Sequence, residues 1–307
     1  MINGIINVYK EKGFTSHDVV AKLRGIVKQK KIGHTGTLDP DAEGVLPVCL
    51  GNATKLCDIL TDKDKIYEAV LSLGLTTDTQ DITGTVINTN EVTADREQIE
   101  KAIFSFIGDY NQLPPMYSAI KVGGKRLYEL ARAGKEIERE PRKVRIHNIR
   151  ILEFNEEKHE IRMSVECSKG TYIRTLCHDI GASLGCGGCM KSLLRTKAGA
   201  FTLENSLKLS EVQAAFMQER LQDFIIKADD MFPDYPKIIV AEEYTKLIYN
   251  GNSFHIDQLK EEAVPSNNSN INENNGFVRV YDWQNQFIGI YEYVLKDTIY
   301  KPVKMFL

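Results

Sequence analysis

Residues Lys31–Gly51 read KIGHTGTLDPDAEGVLPVCLG. The first half is a Gly/Thr turn, Gly33 to Thr37, of the kind that can present backbone N–H groups to an anion. The second half, from Gly44, is an apolar run that reads as a buried strand. Between them Asp39 stands before Pro40, and a residue before proline is driven out of the helical region into an extended conformation. The proline therefore fixes how the carboxylate leaves the backbone, with the strand anchoring it from behind. Asp41 and Glu43 lack this restraint and read as surface acids of the turn. The turn has no Lys-Ser/Thr of a P-loop, and no GxGxxG follows a strand elsewhere, so no nucleotide cofactor finds a recognisable home. A braced carboxylate suits chemistry at a sugar C1′, where the transition state is oxocarbenium-like. A turn-forming Asx before proline accounts for the same residues without chemistry. The residues alone leave both readings open.

Working outward, a chain of 307 residues with 42% hydrophobic residues has room for roughly two domains. No apolar run approaches the ~18 residues that a membrane helix needs. The N-terminal MINGIINVYKEKGF has neither the apolar core nor the cleavage site of a signal peptide. Six scattered cysteines suit a cytosolic protein with reduced thiols. Cys186 and Cys189 form a lone CGGC with no second ligand pair, which reads as two incidental thiols in a glycine-rich loop and not as a zinc site.

The net charge of −3 argues against a uniformly basic nucleic-acid protein, but the charge is uneven. Lys22, Arg24, Lys28, Lys30 and Lys31 follow one another with no acid among them. Between Lys121 and Arg150 ten cations face only Glu129, Glu136, Glu138 and Glu140. Local basic patches on an acidic body fit a reader of one polyanion; solvated helix faces are the plainer reading.

Around the opening stretch, INVYKEKGFTSHDVVAKLRGIVKQK predicts a strand, a turn and a helix capped at Thr15 or Ser16, with Val19, Val20, Leu23 and Ile26 as its apolar stripe. KIYEAVLSLG alternates as a strand, and the polar turn TTDTQDITG leads to TVINTN. Thr93 is expected to cap the helix ADREQIEKAIFSFIG. The stretch NQLPPMYSAIKVGGKRLYELARAGKEIEREPRK reads as a long insertion, and long ordered insertions are usually functional. VRIHNIRILEF and EIRMSVECSKG predict strands, TYIRTLCHDIGASLG a helix, and Ser210 to Phe224 another. After a linker around DDMFPDYPK, a tail from Ile238 carries the β-like runs FVRVYD and FIGIYEYV, an earlier helix-like piece and a polar loop, SNNSNINENN. Without a regular βαβ repeat, the pattern favours α+β with a mixed sheet over a doubly wound fold.

GHTGTLDPDAEGVLPVCLG, KIYEAVLSLGLTTDTQD, LPPMYSAIKVGGKRLYELARAG and KGTYIRTLCHDIG, in this order, closely resemble the TruB-type tRNA pseudouridine synthases. The resemblance implies a pseudouridine synthase fold with a mixed, largely antiparallel sheet over residues 1–230. It places an RNA-clamping insertion at about 115–142, and residues 237–307 resemble the small β-rich PUA-type RNA-binding domain. It implies an isomerase that converts uridine-55 in the TΨC loop of tRNA. Asp39 would act at C1′ by attack or stabilisation, with proton abstraction at C2′ as an alternative route. Tyr67 would stack on the base and take the C5 proton, and Arg174 would pair with Asp39, lowering its pKa and orienting it. His34 would stand by the displaced nucleotide, Leu194 would wall the base, and Lys121 and Arg126 would hold RNA. Read without the family, Tyr67 is a core tyrosine, Arg174 a helix-surface cation and His34 a turn residue.

The resemblance implies no metal, no organic cofactor, no membrane and no obligatory protein partner, in the cytoplasm. GCGGCMKSLLRT departs from the family's usual pattern and leaves the packing around Leu194 open. Two rival functions remain: a tRNA-binding folding factor acting without chemistry, and a guide-RNA-dependent rRNA pseudouridine synthase.

Overall fold

The computed structural model describes residues 1–260 and 276–307, and in it the apolar run after Asp39 is a strand around which the main sheet assembles. The chain begins with β1 (Gly4–Lys10) and α1 (Ser16–Val27), then returns through β2 (Ile32–His34) to β3 (Glu43–Leu50). A 3₁₀ segment leads to α2 (Cys57–Thr61), β4 (Lys65–Leu73) and the hairpin β5 (Leu75–Thr77) and β6 (Val86–Thr89). After α3 (Arg96–Phe104) and β7 (Gly108–Gln112), an excursion holds β8 (Lys121–Val122), β9 (Lys125–Arg126) and α4 (Leu127–Arg132). The long hairpin β10 (Arg142–Asn155) and β11 (Glu160–Cys167) precedes α5 (Ile173–Ser183), β12 (Gly188–Ala198), β13 (Phe201–Thr202) and α6 (Leu209–Met217). The tail supplies β14 (Lys237–Ile239), α7 (Thr245–Tyr249), β15 (Phe254–His255), β16 (Phe277–Tyr281), β17 (Phe287–Val294) and β18 (Ile299–Met305). The polar loop SNNSNINENN, residues 266–275, lies outside the described residues.

Among the described residues the main sheet has nine strands, ordered β1-β3-β12-β4-β11-β10-β7, with β2 on β3 and β13 on β12. Every pairing is antiparallel except β3 with β12, where Glu43 and Gly44 lie beside Leu194 and Arg195. The sheet is therefore mixed and largely antiparallel, as expected. One face carries Tyr67, Ala69, Leu71 and Leu73 of β4 with Met163, Val165 and Leu193, packed against α3 and α5. The same face continues through Leu46 and Val48 to α1 and α6. The opposite face buries Ile5, Val45, Cys49, Ala198 and Phe201 together with Phe232, Ile290 and Phe306. Among the described residues the tail has its own five-stranded sheet and a core around Val278, Tyr291 and Tyr300, yet shares this second cluster with the body.

Local chemistry explains the boundaries and corrects some of them. The Thr15 hydroxyl accepts from the Asp18 N–H at 3.0 Å while the Asp18 carboxylate accepts from the Thr15 N–H at 2.8 Å, a capping box that starts α1. Thr93 does not cap α3; Asp95 does, in a reciprocal box with Gln98. The helix expected from Ser210 to Phe224 stops at Met217, and one 3₁₀ turn, Leu221–Phe224, follows. The glycine-rich CGGC is not all loop, because β12 begins at Gly188 and buries Cys189. No helix among the described residues is long and apolar enough to cross a membrane.

Candidate active site

Asp39 lies in the loop from β2 to β3, and that loop is held from several sides. Leu38 is buried before it and Ala42 after it. The Leu38 N–H donates to the Ser16 hydroxyl at 2.9 Å, and the Gly13 N–H donates to the Pro40 carbonyl at 2.9 Å. Beneath the loop sits Lys10, 0% exposed, whose ammonium donates to the carbonyls of Glu11 (3.2 Å), Pro40 (3.1 Å) and Ala42 (2.5 Å). Burial pushes this ammonium down to about 8, with Asp39 and Glu43 resisting the fall. Arg195, 1% exposed, donates to the Val45 carbonyl at 2.7 Å and the Gly36 carbonyl at 3.3 Å. Two N–H groups of the Gly/Thr turn are spent internally: Thr35 donates to the Pro47 carbonyl and Gly36 to His34 Nδ1 at 3.3 Å. Glu43, expected as a surface acid, accepts from the Tyr9 hydroxyl at 3.3 Å.

Arg174 is the second residue of α5 and is 5% exposed, not a surface cation. The tip of α5 is fixed by Gln112, which accepts from the Tyr172 N–H at 2.7 Å and donates to its carbonyl at 2.9 Å. From there Arg174 reaches Asp39 with two nitrogens, Nε to Oδ2 at 2.9 Å and Nη2 to Oδ1 at 3.3 Å. This fork fits the planar guanidinium to a carboxylate. The rest of the guanidinium donates to the Thr79 carbonyl at 3.0 Å and the Tyr117 carbonyl at 2.8 Å, with Asp81 3.7 Å away. Asp81 is set by Thr79 and Thr83 in its own turn. One side chain thus joins Asp39, the 78–85 turn and the base of the insertion.

The fork does not lower the Asp39 pKa below its ordinary value, contrary to expectation. Burial raises it, the Arg174 charge opposes that rise, and the Asp81 charge adds to it. Desolvation of a carboxylate in a crowded recess outweighs one paired cation whose charge is shared with a second acid. The Asp39 side chain still keeps 39% of its surface open, so it is reachable.

Tyr67 stands on β4 directly across from Arg195 on β12, and it is 8% exposed. It shares a hydrophobic cluster with Leu38 and Ala42, which brings it against the Asp39 loop. Burial pushes its phenol up, with Arg195 pulling the other way. His34 ends β2; its Nδ1 accepts from Gly36, so Nε2 carries the hydrogen. Burial first, then the charges of His17 and Arg195, push its pKa down to about 4. His17 meets it edge to face with ring centroids 5.4 Å apart.

Leu194 does not join this group. Its cross-strand neighbours are Glu68 and Glu43, and paired residues share a face, so it points away from Tyr67. Leu193, beside Ala69, takes the place on the Tyr67 side. Lys121 and Arg126 lie on the small hairpin of the insertion, with Arg126 donating to the Tyr128 hydroxyl at 3.1 Å. The insertion leaves from β7 and returns at β10, which are paired strands, and Arg139 donates to the Pro114 carbonyl at 3.0 Å across its neck. Lys10, Arg195, Asp81 and Leu193 escaped sequence reasoning. Among the described residues no group of three or more His, Cys, Asp or Glu side chains is placed to hold a metal ion.

Residues 24–173 match the TruB family pseudouridylate synthase N-terminal domain, and residues 174–232 match the tRNA pseudouridylate synthase B C-terminal domain. The chain is 58% identical to the tRNA pseudouridine synthase B of Lachnoclostridium phytofermentans and 45% identical to that of Clostridium kluyveri, over 100% of each chain in both cases. Among solved structures, a Cbf5-Nop10-Gar1 complex is similar at 25% identity with a TM-score of 0.70, covering 99% of this chain and 85% of that one. An H/ACA RNP bound to a substrate RNA containing 2′-deoxyuridine shares the fold at 22% identity with a TM-score of 0.69, covering 99% and 85%.

Proposed function

Because this chain belongs to the TruB family of pseudouridylate synthases, we propose that it isomerises uridine-55 in the TΨC loop of tRNA to pseudouridine, with Asp39 acting at C1′. The observation that carries this reading is the Asp39–Arg174 fork beside Tyr67, which joins residues 135 positions apart in the chain. A stacked uridine must first be extruded, at a cost of about a few kcal/mol. The N1–C1′ bond then breaks with its electron pair on the base, and the Asp39 carboxylate meets the positive charge developing at C1′. The base turns, C5 bonds to C1′ and displaces Asp39, the C5 proton leaves through the neutral Tyr67 hydroxyl, which accepts it and passes its own on, and N1 gains a proton. Atoms and electrons balance with no redox partner.

Arg174 aims the carboxylate and opposes its protonation. Leu193 replaces Leu194 as the apolar wall, His34 meets the displaced nucleotide as a neutral donor, and the insertion with Lys121 and Arg126 closes over the RNA. The protein works in the cytoplasm and needs no protein partner. A guide-dependent reading is less favoured, since full-length relatives at 45–58% identity are named tRNA pseudouridine synthase B, whereas the similar H/ACA RNP and Cbf5-Nop10-Gar1 structures share 22% and 25%. A folding factor without chemistry leaves the Asp39–Arg174 fork without a purpose.

Incubating the pure protein with a T stem-loop RNA and mapping pseudouridine by mass spectrometry tests the proposal. Product at the expected position without added RNA or protein, and a loss of at least about 10³-fold in Asp39→Asn, are expected. Normal turnover by Asp39→Asn removes the assignment.

A further inference from the structure

Helix α1 starts at the candidate site and leaves it. Its first turn holds Ser16, whose hydroxyl meets Leu38, and His17, whose ring meets His34. Val19, Val20, Leu23 and Val27 face the core. His17, Ala21, Arg24 and Lys28, spaced at four, seven and eleven residues, fall on one outward stripe, and all four are exposed. At 1.5 Å per residue the stripe runs about 16 Å from the site. Lys30 and Lys31 extend it beyond the helix end, both exposed.

Three features describe this strip. Among the described residues none of Arg24, Lys28, Lys30 and Lys31 makes an ion pair with an acid; Arg24 donates to the Lys30 and Ile32 carbonyls at 3.1 and 3.4 Å and Lys31 to Asn52 at 3.1 Å, which places these charges without neutralising them. Lys28 caps the helix with φ +51, a left-handed position where glycine is the easy choice, so a charge is kept at some conformational cost. Finally, the attraction of a helix C-terminus for cations fades within the last turn, and Lys30 and Lys31 stand past it. An uncompensated cationic strip on a protein of net charge −3 is complementary to one thing in particular, a phosphodiester strand.

We propose that Arg24, Lys28, Lys30 and Lys31 form a phosphate track that carries the RNA backbone away from the extruded nucleotide, starting at the His17–His34 pair. The track rests on the reading that the substrate is RNA. It supplies attraction without sequence preference and fixes the direction in which the strand leaves the site.

The test measures binding of a tRNA transcript across a range of salt concentrations, in an Asp39→Asn background so that turnover plays no part. Replacing Arg24, Lys28 and Lys31 together by Gln is expected to weaken binding about tenfold or more at low salt. It is also expected to flatten the log–log salt dependence by about two to three. Arg24→Lys with the other two native is expected to bind within about twofold of the parent, since a phosphate needs a charge and not a fork. Unchanged affinity and slope in the triple variant overturn the track, as does weaker binding with an unchanged slope. A protein that binds tRNA through the strip but makes no pseudouridine refutes the proposed reaction and leaves the track standing.

Discussion

Lys10 and Arg195 are buried cations that donate to backbone carbonyls: Glu11, Pro40 and Ala42 for one, Val45 and Gly36 for the other. Burying a charge is costly unless hydrogen bonds replace the lost water, and here those bonds fix the loop that presents Asp39. Carbonyl acceptors leave no mark in a sequence, which is why neither residue stood out, whereas Asp39, Tyr67 and Arg174 sit in long motifs. His34 offers a direct test of burial. Its folded pKa is pushed down to about 4 from an ordinary 6.5. As pH falls below 6.5 the unfolded chain binds a proton that the folded chain refuses until about 4, so stability drops across that window. Urea midpoints at pH 7 and pH 5 should show the drop, and His34→Gln should reduce it; an equal drop in the variant contradicts the assignment.

Strands with a clean period were legible as elements: β4 alternates, β3 is a continuous apolar run, and α1 carries its own capping box. β12 was not, because Gly188, Lys191, Lys197 and two register shifts break its alternation. Its place between β3 and β4 depends on contacts some 150 residues apart, which local pattern does not encode, and that same gap misplaced Leu194. The joint between β3 and β12 turns on Gly44. Its φ is +106, and a Cβ there would lie 2.2 Å from the Arg195 carbonyl oxygen. Gly44→Ala is therefore expected to destabilise the protein by on the order of 3 kcal/mol or more, read from chemical denaturation. A change under about 1 kcal/mol would mean the joint yields easily.

At the scale of the molecule, the β-rich tail was legible from FVRVYD and FIGIYEYV, but its attachment was not. Phe306 lies with Phe287 and Phe232 in the cluster that covers Val45 and Cys49 on the far face of the main sheet, and Lys304 reaches Asp58 at 2.7 Å. In sequence Phe287 reads as an ordinary strand residue, Phe232 falls in the linker DDMFPDYPK, and Phe306 carries no signal of its own. The tail thus shares a core with the strand that follows Asp39. Phe306→Ala is expected to cost about 3–5 kcal/mol and to lower the melting of the whole chain in one transition. An early, separate melting of the tail with an unchanged main transition would show instead that the two cores are independent.

Arg174 shares its N–H groups among Asp39, Thr79 and Tyr117, so the floor of the site and the root of the 115–142 insertion report to one guanidinium. Perturbations at the two places should not simply sum. In a thermodynamic cycle, the combined loss of transition-state stabilisation from Arg174→Lys and a shortened 115–142 loop should fall short of the two separate losses added together. Strict additivity would mean that loop and carboxylate act as strangers.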